Sequence, residues 1–117
     1  MTEPFRVHGN SAGRCDAVAH AGTVYVVATD PAQASDVQTQ TANALAKVDR
    51  LLAEAGSDKS KLLQATVYLS DIADKTAMDA IWVEWIGPAS NWPQRACVGV
   101  QLAPGDRVEI VITAAVA

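Results

Sequence analysis

The residue types best suited to chemistry gather near the C-terminus, in Pro93-Gln94-Arg95-Ala96-Cys97-Val98-Gly99-Val100 and in Arg107-Val108-Glu109-Ile110-Val111. An arginine presents a planar fork of donors that matches a carboxylate at two points. A glutamate within hydrogen-bond reach of a water can take its proton. Strand alternation puts Arg95, Cys97 and Gly99 on one face of the first run and Ala96, Val98 and Val100 on the other; Arg107, Glu109 and Val111 form a like-sided row on the second. If the two runs pair as a hairpin across Leu102-Ala103-Pro104-Gly105-Asp106, Arg95 and Glu109 approach one another near its open end. Two readings stand. One is an exposed cross-strand ion pair worth about a few tenths of a kcal/mol. In the other, a second subunit covers that face and the partly desolvated guanidinium holds a carboxylate.

Other chemistries find little support. The chain has no G-x-S-x-G elbow, P-loop or G-x-G-x-x-G run. A Cys–His couple would need Cys97 with His8 or His20, but a strand cysteine behaves as a small hydrophobe unless its thiol pKa is depressed. Cys15, Cys97, His8 and His20 include no C-x-x-C or H-x-x-x-H spacing, so no metal is expected. With a net charge of −4 and a pI near 4.9, no positive field is available for phosphate backbones, and no nucleic-acid partner is expected. The longest stretch free of charged residues, Ala17 to Thr29, is too short to span a membrane. The first residues lack the basic-then-apolar order of a signal peptide, and two thiols far apart in sequence read as reduced; a cytoplasmic location is the expectation.

These residues must be positioned by a small framework. A chain of 117 residues, 50% apolar and 19% charged, is sized for one domain over 1–117 with its own core. Ala17-Val18-Ala19-His20 and Thr23-Val24-Tyr25-Val26-Val27 flank Ala21-Gly22 and predict a hairpin. Ser35-x-x-Gln38 has the form of a capping box. Beyond it Val37, Thr41, Ala44, Leu45, Val48, Leu51, Leu52 and Ala55 form a helical stripe, with Gln40, Asn43, Lys47, Asp49, Arg50 and Glu54 opposite and Gly56 as the stop. Ala65 to Leu69 predicts a third strand. Asp71 or Asp74 caps a second helix with the stripe Met78, Ile81, Trp82 and Trp85, ended by Gly87-Pro88. Arg95–Val100 and Arg107–Val116 complete a β-β-α-β-α-β-β order, an α+β fold with a mixed sheet and two helices on one face. The last strand is apolar on both sides, so the second face needs a cover, and another copy of the chain is the expected one.

Pro93-x-Arg95-x-Cys97-Val98-x-Val100, with Pro104 and Val108-Glu109-Ile110, resembles the C-terminal signature of the RidA family, also called YjgF/YER057c/UK114. Gln38-Thr39-x-x-Ala42, Thr66-Val67-Tyr68-Leu69-x-Asp71 and Met78-Asp79-x-x-Trp82 extend the resemblance over the chain. It implies a chorismate-mutase-like fold, assembled as a homotrimer whose sheets form a central barrel with clefts between subunits. It also implies cofactor-free hydrolysis of reactive enamines and imines, such as 2-aminoacrylate and 2-imino acids, to 2-keto acids and ammonia. Carried over by position, Arg95 would grip the substrate carboxylate and backbone groups around Ala96 and Cys97 would orient the imine. Cys97 would serve as a wall, and Glu109 would position or deprotonate the attacking water. The chain departs from the family's well-characterised deaminases at Cys15, where they carry a tyrosine, at Ala28-Thr29-Asp30 in place of Ser-Gly-Gln, and at Asp79 in place of asparagine. Those departures resemble a short, divergent branch.

Two further functions compete. One is a non-catalytic trimer that binds a small carboxylate or keto acid through Arg95. The other is an interaction surface anchored by Trp85 and Trp92. Glu109 favours the enzyme, because binding a carboxylate requires no water-positioning acid; Cys15 favours the binder.

Overall fold

The computed structural model describes residues 3–116. Six strands form one sheet: β1 (Phe5–Val7), β2 (Ala17–His20), β3 (Thr23–Ala28), β4 (Leu62–Leu69), β5 (Gln94–Gly99) and β6 (Val108–Ala115). Helices α1 (Val37–Glu54) and α2 (Lys75–Ile86) follow β3 and β4. The strand order is β1-β2-β3-β6-β4-β5, antiparallel throughout except for the parallel pair β4 and β5. The architecture is α+β with a mixed sheet, and β1 is an edge strand absent from the sequence expectation.

The central position of β6 follows from its residues. Val108, Ile110, Ile112 and Ala114 are buried on the face that carries the helices, while Glu109, Val111, Thr113 and Ala115 alternate onto the other. A strand apolar on both sides belongs inside a sheet, and β6 pairs with β3 on one side and β4 on the other. The expected hairpin between the last two strands is therefore not formed. β5 instead joins the outer edge of β4 through the α2 crossover, which requires the parallel sense.

The α1 stripe is as its spacing predicts, with Val37, Thr41, Ala44, Leu45, Val48, Leu51 and Leu52 buried. Its cap differs. Asp36, one residue beyond Ser35, accepts from the Thr39 N–H at 2.9 Å, while the Gln38 amide donates to the Ala77 carbonyl of α2. Gln40, expected on the outer face, is buried and fully bonded: its Nε2 donates to the carbonyls of Ala34 and Gly105, and its Oε1 accepts from the Arg107 N–H. Gln40 thus fastens the β5–β6 connection to the first turn of α1. The stop at Gly56 is a left-handed residue with φ 81°. Ala21 and Gly22, at φ 52° and 82°, make the tight turn between β2 and β3.

Both helices lie on one face. The other carries Tyr25 at 53% exposure and Val27 at 44%, with Val98 and Val100 also exposed.

Candidate functional site

Arg95 takes its direction from the parallel pairing. It stands opposite Ala65, and Cys97 stands opposite Val67. Paired residues share a face, and Ala65 and Val67 are buried beneath the helices, so Arg95 and Cys97 point toward α2. There the Arg95 Nη2 donates to the Asp79 Oδ1 at 2.6 Å, and the Lys75 Nζ donates to the Asp79 Oδ2 at 2.7 Å. The guanidinium lies 5.2 Å from the centre of the Trp82 ring, within range of a cation–π contact. Its Nη1 reaches the Met78 sulfur at 3.9 Å, a weak acceptor. The Arg95 side chain is 17% exposed and that of Asp79 29%. Burial pushes the Asp79 carboxyl up, but the hydrogen bonds and charges of Lys75 and Arg95 outweigh it and hold it below the usual carboxylate range. Beside the pair, Trp82, Val83, Trp92 and Pro93 help to line a pocket of about 320 Å³.

Cys97 is half-buried and packs against the core. Burial raises its thiol pKa against the opposing pull of Arg95, which keeps the sulfur protonated and suits a wall better than a nucleophile. Ala96 points to the open face, opposite Thr66. Because β5 is an edge strand, part of the backbone around Ala96 and Cys97 faces outward with no ladder partner among the described residues.

Glu109 lies elsewhere. Its neighbour across β4 is Tyr68, which in turn sits opposite Val98, so the three form a row on the open face. Among the described residues the Glu109 carboxylate has no hydrogen-bond or ion-pair partner. The expected approach of Arg95 and Glu109 within one protomer is not found. The two residues are two strands and three residues of register apart, roughly 14 Å between Cα atoms, and they point to opposite faces. Asp79, in direct contact with Arg95, is the residue that sequence reasoning did not connect to the site. Lys75 and Asp79 are an i,i+4 pair on α2, a visible signal, but nothing in sequence reported that α2 lies beside β5. Among the described residues no three His, Cys, Asp or Glu side chains gather as a metal-ligand group.

Comparison with known proteins bears on this arrangement. Residues 10–116 match the model of the family described as endoribonuclease L-PSP. A RutC family protein of Haemophilus ducreyi is 44% identical over 97 residues, covering 81% of this chain and 82% of its own. The RutC family protein YoaB of Escherichia coli K12 is 40% identical over 102 residues, with 86% and 89% covered. Among solved structures, a YjgF-family protein of Neisseria meningitidis superposes with a TM-score of 0.86 at 38% identity, over 96% of this chain and 94% of that one.

Proposed function

The chain belongs to the YjgF/RidA family, the family of the endoribonuclease L-PSP model, and on that premise we propose that it hydrolyses reactive enamines and 2-imino acids, 2-aminoacrylate among them, to 2-keto acids and ammonia. The observation that carries this reading is Arg95: a guanidinium mostly withdrawn from water, fixed on an edge strand, with N–H groups beyond the one given to Asp79 that meet no oxygen acceptor among the described residues. Such a group binds a carboxylate far more tightly than a solvated surface arginine does.

In the reaction the substrate carboxylate rests on Arg95, and the outward backbone of Ala96 and Cys97 fixes the plane of the imine. Water adds to C2, forming a C–O bond as the C=N electrons move to nitrogen; the water proton passes to Glu109. The imine reacts as its N-protonated form, so the adduct is a neutral carbinolamine. Glu109 returns its proton to the nitrogen, the C–N bond breaks to release ammonia, and the hydroxyl proton passes to solvent as the carbonyl forms. An enamine enters after protonation at C3. Geometry adds one condition. Since Arg95 and Glu109 of one protomer face opposite ways, the glutamate that serves a given arginine comes from a neighbouring protomer. A homotrimer with its open faces turned to a central barrel supplies both the neighbour and the cover for Tyr25, Val27 and Val98. No metal or cofactor enters any step.

RNA cleavage, the activity in the matched family's description, has weaker support: thirteen acidic side chains outnumber nine lysines and arginines, and phosphate binding rests on cations. The second reading, a trimer that binds a keto acid without turning it over, is favoured by Glu109, which faces away from Arg95 within the protomer. The separating test generates 2-aminoacrylate in situ with a dehydratase and follows pyruvate release. Acceleration by this protein supports the hydrolase. Keto acid binding without acceleration supports the binder.

A further inference from the structure

Asp79 places a carboxylate where a ligand carboxylate would have to compete. A guanidinium offers two forks, Nε with Nη2 and Nη1 with Nη2, so Nη2 belongs to both. By accepting from Nη2 at 2.6 Å, Asp79 takes one of the two hydrogens that the forks share and leaves one complete fork. It also neutralises much of the arginine's field at a site withdrawn from water, where screening is weak. Lys75 holds the other Asp79 oxygen, which fixes the carboxylate in that position rather than letting it swing away. The remaining lining is apolar and aromatic: Trp82, Val83, Ile86, Trp92 and Pro93.

From this geometry we infer that Asp79 is the specificity-determining residue of the Arg95 site: it lowers affinity for carboxylates in general, excludes a second negative charge, and restricts ligands to 2-imino or 2-keto monocarboxylates with a short apolar side chain. The inference rests on the reading of Arg95 as the receiver of the ligand carboxylate. A weakened grip suits a site that must release a keto acid product bearing the same carboxylate as its substrate.

The test is calorimetric titration of the assembled protein with 2-oxobutanoate and with 2-oxoglutarate, in wild type, Asp79→Asn and Arg95→Ala. Asp79→Asn should bind 2-oxobutanoate about tenfold more tightly, the size of one charge-assisted contact regained. The preference of wild type for the monocarboxylate should also narrow, because the like charge is gone. A purely structural role for Asp79 would leave that ratio unmoved. If Asp79→Asn proves unstable, Asp79→Ser removes the same charge and should shift affinity and ratio the same way. Unchanged or weaker binding in a folded neutral variant, with Arg95→Ala still abolishing binding, overturns the role of Asp79 alone. Binding unaffected by Arg95→Ala, or no binding of either keto acid to wild type and Asp79→Asn at millimolar concentration, overturns the reading of Arg95 and the inference with it.

Discussion

Arg95 and Glu109 lie on opposite faces of one sheet, the arginine on the outer strand beside Asp79 and the glutamate in the row with Tyr68 on the uncovered face. A substrate held by the first cannot be reached by the second within a protomer. In the proposed hydrolysis, that separation makes turnover depend on the glutamate of a neighbouring protomer.

The roles of the two residues should separate in kinetics. Arg95→Ala removes the fork, and keto acid binding should fall about 30- to 1000-fold, as should kcat/KM. Arg95→Lys should recover little of this, since an ammonium keeps the charge and loses the planar two-point contact. Glu109→Gln keeps the size and polarity of the side chain, so binding should persist while turnover falls. Titration with 2-oxobutanoate and keto acid release measured on the three variants check this. Equal losses of binding in Arg95→Ala and Glu109→Gln would contradict the division.

Charge on the open face should break the assembly without unfolding the protomer. Val111 is paired with Val27 on one side and Thr66 on the other, in the middle of that face. Val111→Asp should yield monomers by mass measurement with unchanged far-ultraviolet dichroism, and activity should disappear with the trimer. A trimer that survives the substitution would mean that copies meet elsewhere.

Much of this frame was legible in sequence, and the parts that were not share a cause. The α1 stripe from Val37 to Leu52 and the stop at Gly56 are local signals, set by a 3.6-residue period and one backbone conformation, and both are present. The alternation of Arg95 and Cys97 against Ala96 and Val98 is also local and correct. Which strand lies beside which is not local. Two runs joined by a short Pro-Gly connection read as a hairpin, yet Val111 and Thr113 already marked β6 as two-sided and hence central. Gln40 reads as a surface polar residue because two of its three partners, Gly105 and Arg107, lie 65 and 67 residues away in the chain. Asp79 was invisible as a partner of Arg95 for the same reason.

Gln40 should matter far more than its polarity suggests. Gln40→Leu would strip the partner from two carbonyls and one N–H in part-buried bonds, each loss worth about 1–3 kcal/mol. The melting temperature should fall by roughly 10 °C or more. Calorimetry that finds a drop of only a degree or two would show that water replaces the lost contacts.

Acid should weaken the fold in part through Asp30. Burial pushes its carboxyl up, but N–H donors of Ala34, Asn43 and Ala32 outweigh that and hold it below its ordinary value of 3.8. The unfolded chain therefore takes up the proton first as pH falls. The contribution of Asp30 is complete above the ordinary carboxylate value and is lost as pH drops through it toward the lower folded value. Asp30→Asn, which puts an NH2 donor in place of one accepting oxygen and so sets donor against donor, should cost about 1–3 kcal/mol at neutral pH. In urea unfolding its gap from wild type should shrink at pH values below that ordinary value. A gap that widens in acid would reverse the sign.

The shared site is tested most directly by mixing two inactive proteins. Arg95→Ala retains its glutamate, and Glu109→Gln retains its arginine. Refolded together in equal amounts, they form trimers in which roughly a quarter of the interfaces pair an intact Arg95 with an intact Glu109 from the neighbour. Pyruvate release from 2-aminoacrylate should then return to about a quarter of the wild-type rate, although each variant alone gives almost none. No recovery in mixed trimers of confirmed composition would contradict a site built from two protomers.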